Sequence, residues 1–157
     1  MLDFRSDPKI LLDIARERLQ IQFAFFDSLD TKAATLFAAG SALLGILAAV
    51  FAIREEFDIT SLVVMSVAAG AYVFLVIGVA ATHWPRHYDV GPQLESIWDD
   101  AQLKDDTALV VDLVVDYINY YRGNDRWTWA KVLSVRVGLV AVLVETAAVA
   151  AGLAVVA

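Results

Sequence analysis

DTKAATLFAAGSALLGILAAVFAIREEFD, residues 30–58, is the stretch that decides the fold class of this chain. It contains no charged residue between Lys32 and Arg54. A helix over 33–53 extends about 31 Å, which matches the hydrocarbon thickness of a bilayer. The stretch therefore predicts a transmembrane helix rather than the core of a soluble domain.

Two further apolar runs follow, at 59–82 and 137–157, and the last contains one charged residue, Glu145. The chain has 157 residues, of which 59% are hydrophobic, whereas soluble domains are about 45–50% apolar. We therefore predict an all-α membrane protein with three transmembrane helices and cytoplasmic helical extensions that form a stalk or bundle. The predicted segments are a cytoplasmic amphipathic helix at 1–32, transmembrane helices at 33–53, 59–82 and 132–157, a short outer loop at 54–58, and a cytoplasmic helical segment at 83–131.

The basic residues predict how the chain crosses the membrane. Most of them precede the first apolar run or lie between the second and the third, while the turn after the first run has only Arg54. Because loops rich in Lys and Arg stay on the cytoplasmic side, the N-terminus and 83–131 are expected to be cytoplasmic in a multi-pass protein of the inner (plasma) membrane. The net charge of -7 argues against DNA or RNA as a partner.

Helical patterns outside the apolar runs predict a long helix at each end of the cytoplasmic part. Ser6 and Asp7 are candidate N-caps before Pro8 at the first helical position. A row with alternating steps of three and four then continues into the first apolar run. The members of this α1 row are Leu12, Ala15, Leu19, Gln22, Phe26, Leu29 and Ala33.

A second helical region is expected after residue 105, where an apolar stripe at Val111, Val115 and Ile118 is predicted to pack on the N-terminal helix. The pair at 123–124, Gly-Asn, leaves open whether this region is one helix or two. A short helix is predicted at 93–102. Small residues at Gly45 and Gly70 lie on stripes whose spacing lets helices approach closely, within one chain or between copies.

Glu145 is the most informative single residue, because intramembrane carboxylates normally face a partner, a pore or a proton pathway. Counted from the cytoplasmic edge, Glu145, Ser41 and Tyr72 fall at similar depths, so they predict one polar layer. Two interpretations stay open. In the first, protonated Glu145 hydrogen-bonds Ser41 or Tyr72 between helices; in the second, it lines a pore or acts in gating.

Candidate ligand-binding residues are few. An anionic nucleotide needs cations and aromatic rings, and the cytoplasmic segments offer Arg86, Arg122, Arg126 and Trp127. A solvated or headgroup-binding role is the alternative for each of them. No catalytic constellation is recognisable, so we predict neither an enzyme nor a cofactor. No metal site is predicted, because Pro85 separates the two histidines of HWPRH.

Two stretches carry a family resemblance: DSLDTKAATLFAAGSALLGILAAV, residues 27–50, and YINYYRGNDRWTWAKVLSVRVGLV, residues 117–140. They resemble the Pycsar effector family of small bacterial membrane proteins, and the positions that match its pattern are Asp30, Lys32, Ala33 and Lys131. The resemblance implies an antiphage effector that responds to a cyclic pyrimidine nucleotide, cCMP or cUMP, made by a companion cyclase. It also implies that such an effector impairs the inner membrane, and we expect it to act as a homo-oligomer in the lipid bilayer.

The same residues allow a second functional class. The chain is alternatively a non-gated membrane scaffold, or a transporter or channel subunit in which Glu145 is a proton site. Lys32 and Asp30 are each explained by contact with headgroups or water. A sharper hypothesis pairs Asp30 with Lys131 or Arg126, which would fix the base of the first helix against the helix that enters the third span.

Overall fold

A computed structural model describes residues 7–52, 58–84, 88 and 90–156, except for the side chains at 94, 155 and 156. Every element in these residues is an α-helix, which confirms the predicted all-α fold. In chain order the helices are α1 (Pro8–Ala52), α2 (Ile59–His83), α3 (Leu94–Leu103) and α4 (Asp106–Val156). Three of them, α1, α2 and α4, are long and apolar enough to cross a membrane.

The helix starts follow from local sequence. Asp7 lies just before α1, and its Oδ1 accepts a hydrogen bond from the Lys9 backbone N–H at 3.0 Å. Asp58 caps α2 in the same way, because its Oδ1 accepts from the Ser61 N–H at 2.8 Å. The remainder of the predicted outer loop, residues 54–57, lies outside the described residues.

The long helices are continuous where the sequence left a choice. α1 extends from Pro8 through the apolar run as one helix, as predicted. α4 continues through Gly123 and Asn124 without a break, so of the two alternatives left open by the sequence the single helix is formed. α3 begins and ends one residue later than the predicted 93–102.

Contacts divide the chain into two compact units. Unit 1 comprises the described residues of Met1–Asp27 and Arg86–Trp129, and unit 2 those of Ser28–Pro85 and Ala130–Ala157. The predicted α1 row is buried at every position, with exposures between 2% and 9%. Its burial confirms that the three-four spacing marked the packed side of α1.

In unit 1 the packed face of α4 differs from the predicted one. Val111, Val115 and Ile118 are 39–49% exposed. The contacts to α1 come instead from the next face: the Arg16 guanidinium lies over the Tyr117 ring, 5.8 Å from its centroid, and Tyr121 accepts a hydrogen bond from α1. The expected apolar stripe was therefore placed on the wrong side, because aromatic residues cover more of α1 than valines do.

In unit 2 the buried positions recur every seven residues on α2 and α4. The heptad positions of α2 are Ser61, Ala68, Leu75 and Thr82, and those of α4 are Lys131, Gly138, Glu145 and Gly152. A seven-residue period keeps one face of a helix against its neighbours over many turns. These positions hold mainly small or polar residues, which allows the helices to approach closely.

Glycines in unit 2 divide into packed and open ones. A Cβ added at Gly78 would lie 3.1 Å from the Ser134 carbonyl oxygen, so α2 meets the backbone of α4 there. By contrast, a Cβ at Gly45 or Gly70 would meet nothing within 4 Å. The stripes that contain Gly45 and Gly70 therefore do not pack within the described chain.

Candidate functional site

The strongest polar contact in unit 2 joins α1 to α4. Lys131 Nζ donates to Asp30 Oδ1 and Oδ2, each at 2.7 Å. Lys131 is only 3% exposed, whereas the Asp30 side chain is 33% exposed. An ammonium that loses most of its water needs a carboxylate partner. The hypothesised pair with Lys131 is thus formed.

The other family-pattern positions have different environments. Ala33 is one turn beyond Asp30 and 2% exposed, so it belongs to the packed side of α1. Lys32 is exposed, which accords with a lysine that reaches toward headgroups or water. The pattern therefore combines one buried ionic contact, one packing position and one surface lysine.

The predicted ligand-binding residues are only partly brought together. In unit 1 the Arg126 guanidinium lies over the Trp127 ring at 4.6 Å from its centroid, a cation–π contact. Arg126 therefore contacts its neighbour Trp127. Lys131, the other hypothesised partner of Asp30, forms the ion pair. Arg122 is exposed on α4, and Arg86 lies outside the described residues.

The predicted polar layer has a different bonding pattern from the one expected. Ser41 Oγ and Tyr72 OH hydrogen-bond each other at 3.0 Å. Glu145 is 1% exposed, and neither carboxylate oxygen has a hydrogen-bond partner among the described residues. The expected bond from Glu145 to Ser41 or Tyr72 is therefore not formed; those two hydroxyls bond each other instead.

Gly40 supplies the space for this carboxyl group. A Cβ added at Gly40 would lie 2.7 Å from Glu145 Oε2 and would clash with Leu75 Cδ2. The chain thus places a lone carboxyl group against the glycine backbone of α1 inside the helix bundle. Such a group can hold and release a proton, or accept a hydrogen bond from a group that enters the bundle.

Sequence reasoning missed a cavity of about 290 Å³ in unit 1. It lies between α1 and α4, and its lining includes Arg18, Gln22, Phe25, Tyr121, Asp125 and Thr128. Gln22 Nε2 donates to the Tyr121 carbonyl at 3.2 Å and lies 3.5 Å from Thr128 Oγ1. One signal was available, since Gln22 is the single polar member of the otherwise apolar α1 row.

The histidine region gives no metal centre within the described residues. His83 ends α2, and its Nδ1 lies 3.1 Å from the Val79 carbonyl and 3.0 Å from Thr82 Oγ1. His87 lies outside the described residues. Among the residues that the structure describes, no group of three His, Cys, Asp or Glu side chains is arranged to hold a metal ion.

Comparison of the chain with family models, with curated proteins and with solved structures finds no match to any of them.

Proposed function

We propose that this chain is an effector of an antiphage defence system that responds to a cyclic pyrimidine nucleotide, cCMP or cUMP, and impairs the inner membrane. The N-terminus and 83–131 face the cytoplasm in this proposal, where a companion cyclase releases the nucleotide. The chain itself is not an enzyme. The sequence resemblance at Asp30, Lys32, Ala33 and Lys131 is the source of the proposed activity.

The observation that carries the proposal is the buried Asp30–Lys131 pair. α1 and α4 each contain residues of both units, and the pair joins these two helices in unit 2. A charged contact with little access to water is sensitive to geometry, because separating its partners leaves a desolvated charge. In this proposal it is the contact that holds the apolar helices before they rearrange.

An oligomer fits the helix count and the exposed surfaces. Three membrane-crossing helices enclose little space, so one chain does not form a wide pore. In unit 1, α4 has an apolar row with the three-four spacing whose members are 39–49% exposed. They are Val111, Val115 and Ile118. Apolar rows of this spacing normally pack on another helix, here on a second copy.

The test is leakage of a dye or of ions from liposomes that hold the purified full chain. The nucleotides cCMP, cUMP, cAMP and cGMP are added separately. We expect leakage with a pyrimidine nucleotide and none with the purines. Silence with all four, from protein shown by circular dichroism to be helical and inserted, would refute the proposal.

Charge reversal tests whether the pair acts in the response. Asp30→Lys places two cations together and should abolish nucleotide-induced leakage, and adding Lys131→Asp should restore part of it. Glu17→Lys is the matched control, because it reverses an exposed charge on the same helix. A double variant as inactive as Asp30→Lys would count against a role for the pair.

Glu145 favours a second candidate function, that of a non-gated scaffold or a transporter or channel subunit with an intramembrane proton site. Its support is the buried carboxyl group with neither oxygen hydrogen-bonded among the described residues. For the transporter or channel subunit, liposomes with an internal pH dye would acidify in an acidic buffer without any nucleotide, and Glu145→Gln would stop the proton flux. Thr146→Val, a change at an exposed neighbour, is the control.

A further inference from the structure

The cavity of unit 1 combines an unsatisfied buried acceptor with an open mouth. Gln22 is 6% exposed and is the most buried of the lining residues, so it forms the deepest part of the cavity. Its Nε2 is used by the Tyr121 carbonyl, but its Oε1 is buried and has no donor among the described residues. Buried amide oxygens normally accept a hydrogen bond, so this one lacks an N–H or O–H donor.

Two aromatic residues share the lining of the cavity with that amide. Phe25 of α1 and Tyr121 of α4 line the cavity and are 41% and 39% exposed. Half-exposed rings on two helices offer flat faces on which a planar heterocycle can stack. The cavity of about 290 Å³ is at the lower end for ligand pockets, which suits a base with one ring better than a base with two.

Opposite charges line the same cavity without meeting. Arg18 comes from α1 and Asp125 from α4, both exposed. Neither forms an ion pair with another residue that the structure describes. A guanidinium there suits a phosphate, and a carboxylate suits a hydroxyl group that donates a hydrogen bond.

We propose that this cavity is the nucleotide-binding site, with a pyrimidine base between Phe25 and Tyr121. A base N–H donates to Gln22 Oε1, the phosphate binds Arg18, and the ribose 2′-hydroxyl donates to Asp125. The amide oxygen is closed to water, so side chains that line the cavity must move slightly for the base to reach it. The site deepens the proposed function and rests on it, and it replaces the predicted set of Arg86, Arg122, Arg126 and Trp127.

The test measures equilibrium binding of cCMP and cUMP to the full chain in lipid nanodiscs, beside the leakage assay. Arg18→Gln should weaken binding about tenfold or more, because it removes a charge-assisted contact to phosphate. Lys9→Gln is the control, since it removes an exposed cation from the same helix and should leave affinity unchanged. Circular dichroism checks that each variant keeps its helix content.

A second comparison isolates Asp125. Replacing cCMP by its 2′-deoxy analogue should weaken binding severalfold in the unaltered chain and have no further effect in Asp125→Ala. In the control Glu17→Ala, another exposed carboxylate, the analogue should lose as much affinity as it does in the unaltered chain. This pattern is specific to a contact between the carboxylate and the hydroxyl.

The outcomes separate the site from the function. Leakage by the unaltered chain together with normal binding in Arg18→Gln and Asp125→Ala would overturn the site alone. Binding that depends on both residues, without leakage, would support the site and overturn the effector function. If the unaltered chain neither binds nor leaks with any of the four nucleotides, both proposals fail.

Discussion

Units 1 and 2 use the same helix, α1, with different side chains on its packed face. In unit 1 the buried face presents large apolar residues such as Leu12, Leu19 and Phe26. In unit 2 the same seven-residue period continues with Ala33 and Gly40 and returns to a large side chain at Leu47. Water drives the burial of large apolar groups, whereas lipid tails are as apolar as leucine and leave close packing and polar contacts to hold helices. The small residues Ala33 and Gly40 thus mark the part of α1 in unit 2 where helices can approach closely.

The two units also differ in the buried polar residues on their packed faces. The heptad positions of α4 in unit 2 include Lys131 and Glu145, which are 3% and 1% exposed. In unit 1, Gln22 of α1 is similarly buried, with 6% exposed. Lys131 is paired, Gln22 is half satisfied, and Glu145 has no hydrogen bond within the described residues. Buried polar groups that lack partners reduce stability, so their presence at packed positions suggests roles beyond folding.

The largest expected effect comes from breaking the ionic contact of unit 2. Asp30→Asn leaves the ammonium of Lys131, 3% exposed, without a carboxylate. We expect the free energy of unfolding to fall by about 3 kcal/mol, near the low end for breaking a buried pair, because the Asp30 side chain is 33% exposed. Unfolding by a denaturing detergent in mixed micelles, followed by circular dichroism, measures the change.

The double variant Asp30→Asn/Lys131→Met is the control for this prediction. It removes the uncompensated charge and keeps a side chain of similar length, so it should recover most of the lost stability. Equal stability of the unaltered chain and Asp30→Asn would mean that the pair does not hold α1 to α4.

Close packing in unit 2 is tested next. Gly78→Leu forces a side chain toward the Ser134 carbonyl oxygen, which a Cβ alone would approach to 3.1 Å. Overpacking of this kind costs about 1–3 kcal/mol. Gly70→Leu lies on the same helix, where a Cβ meets nothing within 4 Å, and should leave unfolding unchanged. The same detergent titration compares both, and equal losses would contradict close packing between α2 and α4.

In unit 1 the expected effect has the opposite sign. Gln22→Leu removes the hydrogen bond to the Tyr121 carbonyl, at a cost of about 0.5–1.5 kcal/mol, but also removes a buried unsatisfied oxygen, which recovers about 1–3 kcal/mol. We therefore expect the free energy of unfolding of Gln22→Leu to rise by about 1 kcal/mol. Nucleotide binding should be lost.

Gln20→Leu is the matched control, because Gln20 is exposed on the same helix. It should change stability by less than about 0.5 kcal/mol and leave binding intact. A Gln22→Leu variant that is less stable than the unaltered chain would mean that Gln22 serves the fold rather than a ligand.

The fold class and the packed face of α1 could be predicted from the sequence, because the surrounding solvent determines where apolar residues recur along a helix. The apolar run after Lys32 and the α1 row from Leu12 to Ala33 predicted both the fold class and the packed face, since each depends on helix period and hydrophobicity alone. The Asp30–Lys131 contact was one of two hypothesised pairs, and it needed only opposite charges near the same end of two spans.

The site was harder to predict because it depends on which faces meet. The sequence placed Val111, Val115 and Ile118 against α1, whereas Tyr117 and Tyr121 occupy that position. Relative to the predicted packing, α4 is rotated about its own axis by less than one turn, which brings Asp125 to the cavity. Hydrophobic periodicity does not determine that rotation when two adjacent faces of a helix are apolar. The seven-residue spacing from Lys131 to Gly152 was a usable signal that hydrophobicity patterns do not detect.

The smallest expected effect concerns the exposed ionic contact of unit 1, which is the counterpart of the buried pair in unit 2. Lys104 Nζ lies 2.7 Å from Asp112 Oδ2 and 3.0 Å from Asp100 Oδ1. The hydrogen bond to Asp112, followed by that to Asp100, raises the pKa of Lys104 above its usual 10.5. Because the folded pKa exceeds the unfolded one, the contact stabilises the fold below pH 10.5 and is lost as pH rises through the folded pKa.

Asp112→Asn should return the pKa of Lys104 toward 10.5, measured by NMR titration of labelled lysine side chains. The control Glu95→Gln should leave that pKa raised. Equal titration midpoints in Asp112→Asn and the unaltered chain would mean that water outcompetes the exposed contact, whereas burial protects the pair between Asp30 and Lys131.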